Sequence, residues 1–126
     1  MEGEHNCDNR KSVLVVDDDP DSVAMLSVYL DMMGHLVHAA ANGRDAIRSA
    51  AKLNPDVIVL DLSMPEMSGY EAARQIRDLG LARRPLIVAA TGRNGVNDRM
   101  ACEEAGIDVH LAKPLELDVL GRLLAS

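Results

Sequence analysis

Asp17-Asp18-Asp19, Asp61, Thr91 and Lys113 are the residues whose types and spacing could do chemistry together. Each follows an apolar run of strand length. The separations from Asp18 to Asp61, from Asp61 to Thr91 and from Thr91 to Lys113 are 43, 30 and 22 residues. Mg²⁺ is a hard cation that wants oxygen ligands in octahedral geometry and is usually held by one or two carboxylates, water and a phosphate. Asp18 and Asp61, with Asp17 acting through water, meet that demand. Packed carboxylates repel one another and raise each other's pKa, and a divalent cation reverses the local field, so metal would keep Asp61 an ionised nucleophile. Phosphoryl transfer needs chiefly positioning and charge neutralisation, which a hydroxyl donor and an ammonium beside the metal supply. Thr91 and Lys113 suit those two roles. Taken singly, an acidic triplet reads as turn and cap chemistry, Asp61 or Lys113-Pro114 as loop, and Thr91 as strand packing. Their joint order and spacing carry the reading.

The elements that must bring these residues together follow from apolar periodicity. Val13–Val16, Val57–Leu60, Leu86–Ala90 and a weaker Val109–Ala112 have few polar interruptions, as expected of parallel strands covered on both faces. His35–Ala40 mixes two histidines into Leu36 and Val37 and reads as an edge strand. Between the runs lie helix-length segments. The first has Asp19 as N-cap, Pro20 at the first helical position, Val23, Leu26, Leu30 and Met33 directed inward, and Gly34 past its end. The second follows Asn42-Gly43, turns Ala46, Ile47, Ala50 and Leu53 inward and stops before Asn54-Pro55. The third spans about Gly69 to Leu79 with Ala73 and Ile76 inward. The fourth, near Val96 to Ala105, has a thin stripe of Val96, Met100 and Ala101 and is expected to be the least firmly held. The fifth runs from about Leu115 to Leu124 and presents Leu117, Leu120 and Leu124. Five strands alternating with five helices imply an α/β fold with an open, doubly wound parallel sheet. In such sheets the active crevice lies at the carboxyl ends of the strands, where strand order reverses, and the acids, Thr91 and Lys113 are expected to converge there.

A length of 126 residues suits a single domain, with residues 1–11 expected as a disordered tail and 12–126 as the folded unit. Thirteen basic against twenty acidic residues leave a net charge of −7, which disfavours attraction to nucleic acid and anionic membranes. Two Tyr and no Phe or Trp leave almost nothing for base stacking. Cys7 and Cys102 stand far apart and suggest neither zinc nor a disulfide framework. The apolar runs are too short to cross a bilayer and the polar N-terminus has no leader pattern, so a cytoplasmic protein is expected.

Val15-Val16-Asp17-Asp18, Asp61-Leu62-Ser63-Met64-Pro65-Glu66-Met67-Ser68-Gly69, Ala90-Thr91-Gly92 and Lys113-Pro114 together resemble the signature set of the receiver domains of two-component response regulators, over about Ser12 to Leu124. The resemblance implies a flavodoxin-like sheet of order 2-1-3-4-5. It implies Asp61 as phosphoacceptor, Asp18 as a direct Mg²⁺ ligand, Asp17 as an outer one, and the backbone carbonyl of Ser63 completing the protein ligands. Thr91 and Lys113 would contact the phosphoryl group, and the Lys113–Pro114 peptide would be cis. The implied donor is a phosphohistidine on a histidine kinase or a histidine phosphotransfer protein. The receiver catalyses its own phosphorylation, hydrolysis of the acyl phosphate resets it, and it is no enzyme in the turnover sense.

Two positions depart from the family pattern and two more lie where receivers vary. His110 stands three before Lys113, where a bulky aromatic residue often swings inward, so it reads either as a histidine that simply packs or as a switch coupled to Thr91. Gly92 replaces a small side chain after Thr91, and Ser63 and Arg93 occupy places that modulate hydrolysis in receivers. Phosphorylation is expected to bias an element near the fourth helix, fifth strand and fifth helix, exposing a surface for a downstream protein. Because no length remains after the fifth helix for an output domain, output is expected through protein contact. A module excised from a hybrid histidine kinase or a larger response regulator is the alternative. A haloacid-dehalogenase-like phosphatase also places Asp-x-Asp at a strand end, but it calls for Thr or Val where Asp21 stands. A flavin carrier would meet repulsion between the acids and the flavin phosphate.

Overall fold

The computed structural model describes residues 10–91, 99–113 and 115–125. Cys7, Gly92, Arg93, Val96, Pro114 and most of the expected tail lie outside the described residues, and with them the reading of the Lys113–Pro114 peptide. Ten elements alternate along the chain: β1 (Ser12–Val16), α1 (Pro20–Met32), β2 (Leu36–Ala40), α2 (Gly43–Leu53), β3 (Val57–Asp61), α3 (Gly69–Asp78), β4 (Leu86–Thr91), α4 (Arg99–Ala105), β5 (Val109–Ala112) and α5 (Leu117–Ala125). All pairings are parallel and the sheet order is β2-β1-β3-β4-β5, so His35–Ala40 does supply an edge strand. The order reverses between β1 and β3, which puts their carboxyl ends on either side of the crevice.

Successive strand side chains point to opposite faces, and the core divides accordingly. Leu14, Val16, Ile58, Leu60, Ile87 and Ala89 pack under α2, α3 and α4 through Ala46, Ala50, Ala72, Ala73, Ile76, Cys102 and Ala105. Val13, Val15, Val57, Val59 and Val88 pack on the other face under α1 and α5 through Leu26, Leu30, Leu120 and Leu124. Three helices begin with a side-chain cap directly after the sheet's carboxyl edge or its following loop. Asp19 accepts from the Asp21 N–H at 3.1 Å, Asn42 from Asp45 at 2.8 Å and Ser68 from Glu71 at 3.3 Å. Gly34, at φ +93°, takes the left-handed turn that ends α1.

Three helix readings need correction. Met33 is 42% exposed rather than inward, because α1 ends at Met32 and Met33 is its C-cap, where the chain turns away at Gly34. The other three expected positions do pack inward, Leu26 and Leu30 buried and Val23 against the same core. In α4, Met100 is 72% exposed, while Cys102 and Ala105, three apart, are the buried pair. The fifth helix starts at Leu117, two residues later than Leu115. No helix among the described residues is long and apolar enough to cross a membrane.

Candidate functional site

Backbone hydrogen bonds carry the sheet pattern just past the strands and so fix the residues at its rim. The Asp17 N–H donates to the Ala40 carbonyl at 3.2 Å, Leu62 to Ala90 at 3.0 Å and Lys113 to Thr91 at 2.7 Å. Asp17, Asp61 and Thr91 are buried, unusual for such polar groups outside a paired or functional setting, while Asp18 and Ser63 are exposed. One oxygen from each of Asp17, Asp18 and Asp61 lies within 4.8 Å of the others, close enough to share a metal ion. This is the one such group of three among the described residues. The donors are all hard oxygens, as Mg²⁺ requires, and the cluster therefore fits a divalent cation of that kind.

Asp61 is held at both oxygens. Its Oδ1 accepts from the backbone N–H and the hydroxyl of Ser63, each at 3.1 Å. Its Oδ2 lies 3.4 Å from Lys113 Nζ, which is equally 3.4 Å from Asp17 Oδ2. Asp17 in turn accepts from the Asp19 N–H through Oδ1 at 3.0 Å. Burial pushes the Asp17 carboxyl up from the usual carboxylate range, and the neighbouring Asp61 charge adds to this, against the opposing pull of the Asp19 N–H and Lys113. Burial alone would draw Lys113 down, but Asp61 and Asp17 together outweigh it and hold its ammonium above the ordinary lysine value. Three carboxylates thus face one ammonium, and the surplus negative charge is what a divalent cation would balance.

Asp17, Asp18, Asp61, Thr91 and Lys113 are therefore brought to one rim, as their spacing suggested. His110 stands apart from this cluster. It is exposed on β5, paired in register with Ala89, on the same face of the sheet as Thr91 but two residues back from Ala112, which lies opposite Thr91. Two features escaped the sequence reading. The Ser63 side chain holds Asp61, whereas Ser63 had been read only as a carbonyl ligand and as a place that modulates hydrolysis. Gly69 is the second: an added Cβ would lie 2.6 Å from the Asp61 carbonyl oxygen and 2.7 Å from Leu62 Cα. The only signal for it was a glycine closing the Met-Pro loop at a helix start.

Residues 13–125 match the response regulator receiver domain. The transcriptional regulatory protein KdpE of Mycobacterium tuberculosis is 37% identical over 115 residues, which cover 90% of this chain and 50% of that protein. The chain thus spans about half the length of this curated relative. Among solved structures, the receiver domain of a sensor histidine kinase from Pseudomonas aeruginosa, with magnesium coordinated in its active site cleft, aligns with a TM-score of 0.81 at 35% identity, covering 90% of this chain and 93% of that one. The receiver domain of a Saccharomyces cerevisiae response regulator, co-crystallised with a histidine phosphotransfer signaling protein, aligns with a TM-score of 0.83 at 30% identity, covering 91% and 86%. The order β2-β1-β3-β4-β5, the acids at the ends of β1 and β3 and the match along 13–125 agree, and the chain belongs to the response regulator receiver domain family.

Proposed function

We propose that Asp61 receives a phosphoryl group from a phosphohistidine on a histidine kinase or histidine phosphotransfer protein, in a Mg²⁺-dependent step of a two-component phosphorelay. The observation that carries this reading is the tethering of Asp61 at both oxygens, by Ser63 on one side and Lys113 on the other, beside Asp17 and Asp18. Asp17, Asp18, Asp61 and the Ser63 carbonyl would hold the ion, whose positive charge offsets that of the acids and of the incoming phosphoryl oxygens. Lys113 supplies a fixed ammonium to those oxygens, and the Thr91 hydroxyl supplies a donor. Transfer is self-catalysed, and hydrolysis of the acyl phosphate restores Asp61. Receiver relatives paired with a phosphotransfer protein and found within a sensor kinase support the choice of donor.

The phosphorylated chain passes its signal by contact with a downstream protein in the cytoplasm, without touching nucleic acid or membrane itself, and its net charge of −7 supports that. Half-length coverage of KdpE supports a module of a larger response regulator, and likeness to the receiver of a sensor histidine kinase supports a module of a hybrid kinase. Thr91 and His110 form the candidate switch. His110 belongs to it only if its ring NMR signals move when a phosphoryl mimic is added, and unchanged signals would remove it. The phosphatase alternative is set aside by the match along 13–125. The decisive experiment is intact mass after treatment with acetyl phosphate and Mg²⁺. A gain of one phosphoryl group is expected in the parent and not in Asp61→Asn, and equal gain in both would place the acceptor elsewhere.

A further inference from the structure

We propose that an apolar cavity beside Asp61 seats the imidazole ring of the phosphodonor, and so favours phosphohistidine over small acyl phosphates. The inference rests on the phosphoacceptor role of Asp61 argued above. Phosphoryl chemistry needs only the charged rim, and well-packed interiors leave few voids larger than a water molecule. Yet a cavity of about 130 Å³ opens beside that rim. Asp17, Asp61 and the Lys113 ammonium that lies 3.4 Å from each form its charged end. Apart from Ser22 the remaining wall is apolar, with Met25 and Leu26 from α1, Val59 from β3, Leu115 just before α5 and Leu117 at its start.

Size and polarity select the occupant. An apolar cavity of about 150 Å³ takes one benzene ring, so 130 Å³ suits a five-membered ring and leaves an acetyl group loosely held. A ring lying between the apolar walls carries its phosphoryl group toward the charged end, where Asp61 and Lys113 stand. Met25, 64% exposed on the rim, has the unbranched and polarizable side chain that adapts to a ring edge. Ser22 is the one uncharged polar residue of the lining. Its hydroxyl donates to Asp19 at 3.0 Å and keeps lone pairs to accept from a ring N–H. In the transfer, an Asp61 oxygen bonds to phosphorus as the P–N bond breaks, and that electron pair stays on the ring nitrogen. The second ring nitrogen keeps its proton throughout, and the ring leaves as neutral imidazole.

The test uses two donors, N-phosphoimidazole and acetyl phosphate, each with Mg²⁺, and follows intact mass with time. Leu115→Ala removes a wall and Met25→Trp fills the cavity from an exposed position, so one change opens it and the other closes it. The ratio of the N-phosphoimidazole rate to the acetyl phosphate rate is expected to fall about tenfold or more in both variants. A ratio unchanged in both overturns the seat. Acetyl phosphate labelling of the parent, absent in Asp61→Asn, would at the same time leave the phosphoacceptor reading standing, whereas a parent that accepts from neither donor overturns both. A second readout needs no metal and no turnover. With imidazole added to the metal-free chain, NMR cross-relaxation is expected between its ring protons and the methyl groups of Leu26 and Leu117, and its absence also overturns the seat.

Discussion

Asp17 and Lys113 respond to the same pocket in opposite senses. The folded Asp17 carboxyl holds its proton more tightly than the unfolded one, through burial first and the Asp61 charge second, so its ionised form at neutral pH weakens the metal-free fold. Asp17→Asn is therefore expected to raise the melting temperature in chelator by a few degrees. Added Mg²⁺ should lift the parent markedly and the variant little, because binding to the native state alone stabilises by mass action. A melting temperature that falls in chelator would contradict this account of the pocket. Lys113, raised by Asp61 and Asp17 against its burial, contributes favourably at neutral pH. Lys113→Ala should lower the metal-free melting temperature, and Mg²⁺ should recover part of the loss. The two variants move apart without metal although both sites touch the same ion pair, which distinguishes charge imbalance from simple loss of packing.

The element that does most to aim Asp61 is the loop from β3 to α3. It closes tightly, with Glu66 at φ +70° and the Met67 N–H donating to the Pro65 carbonyl at 2.8 Å, and it brings Gly69 onto the backbone of Asp61 and Leu62. The two nearest atoms a side chain would meet are backbone and cannot yield as the end of a flexible side chain can. Gly69→Ala is expected to cost about 1–3 kcal/mol in urea unfolding and to slow labelling by acetyl phosphate, since the displaced atoms carry the acceptor. At the opposite end of the sheet, β1 starts against β2 through a buried imidazole. The Lys11 N–H donates to His35 Nδ1 at 3.1 Å, and the His35 N–H donates to the Leu30 carbonyl at 3.1 Å. Burial, with the Lys11 charge, lowers the pKa of His35 below the ordinary histidine value. Neutral imidazole is thus the folded form, and its stability is whole above about pH 6.5 and is lost as pH falls through the folded value. His35→Gln should flatten the decline in urea midpoint between pH 7.5 and 5.5, and a decline as steep as the parent's would mean that other groups carry it.

At the scale of the whole molecule two apolar layers and one polar lock hold the sheet and its helices together. Leu30, wholly buried against β1 and β3 on the α1 side, should cost about 2–5 kcal/mol as Leu30→Ala. Arg77 of α3 donates to the carbonyls of Pro85 and Gly106 at 2.8–2.9 Å and to Asp108 at 2.8 Å, while Asp108 also accepts from the Ile87 N–H at 2.9 Å. Arg77→Ala would remove the side-chain donor to the Pro85 and Gly106 carbonyls, while Asp108 keeps the Ile87 N–H and Arg84, and a loss of about 1–3 kcal/mol in urea unfolding is expected. A change under about 0.5 kcal/mol would mark the lock as surface decoration. Much of this fold was legible because strand and helix periods differ, and because Asp19-Pro20, Asn42-Gly43 and Asn54-Pro55 punctuate the elements. The convergence of Asp17, Asp18, Asp61, Thr91 and Lys113 was legible too, since a parallel sheet places all its strand carboxyl ends on one edge. What periodicity could not decide was that Met33, at the end of α1, stays exposed, or that Cys102 and Ala105 rather than Met100 face the core in α4. Those choices depend on which neighbour occupies the space. The same holds for the hydroxyl of Ser63 on Asp61, the approach of Gly69 and the cavity under Met25. Local sequence sets each residue's preferences, whereas distances across strands and helices far apart in the chain exist only once the sheet has closed them.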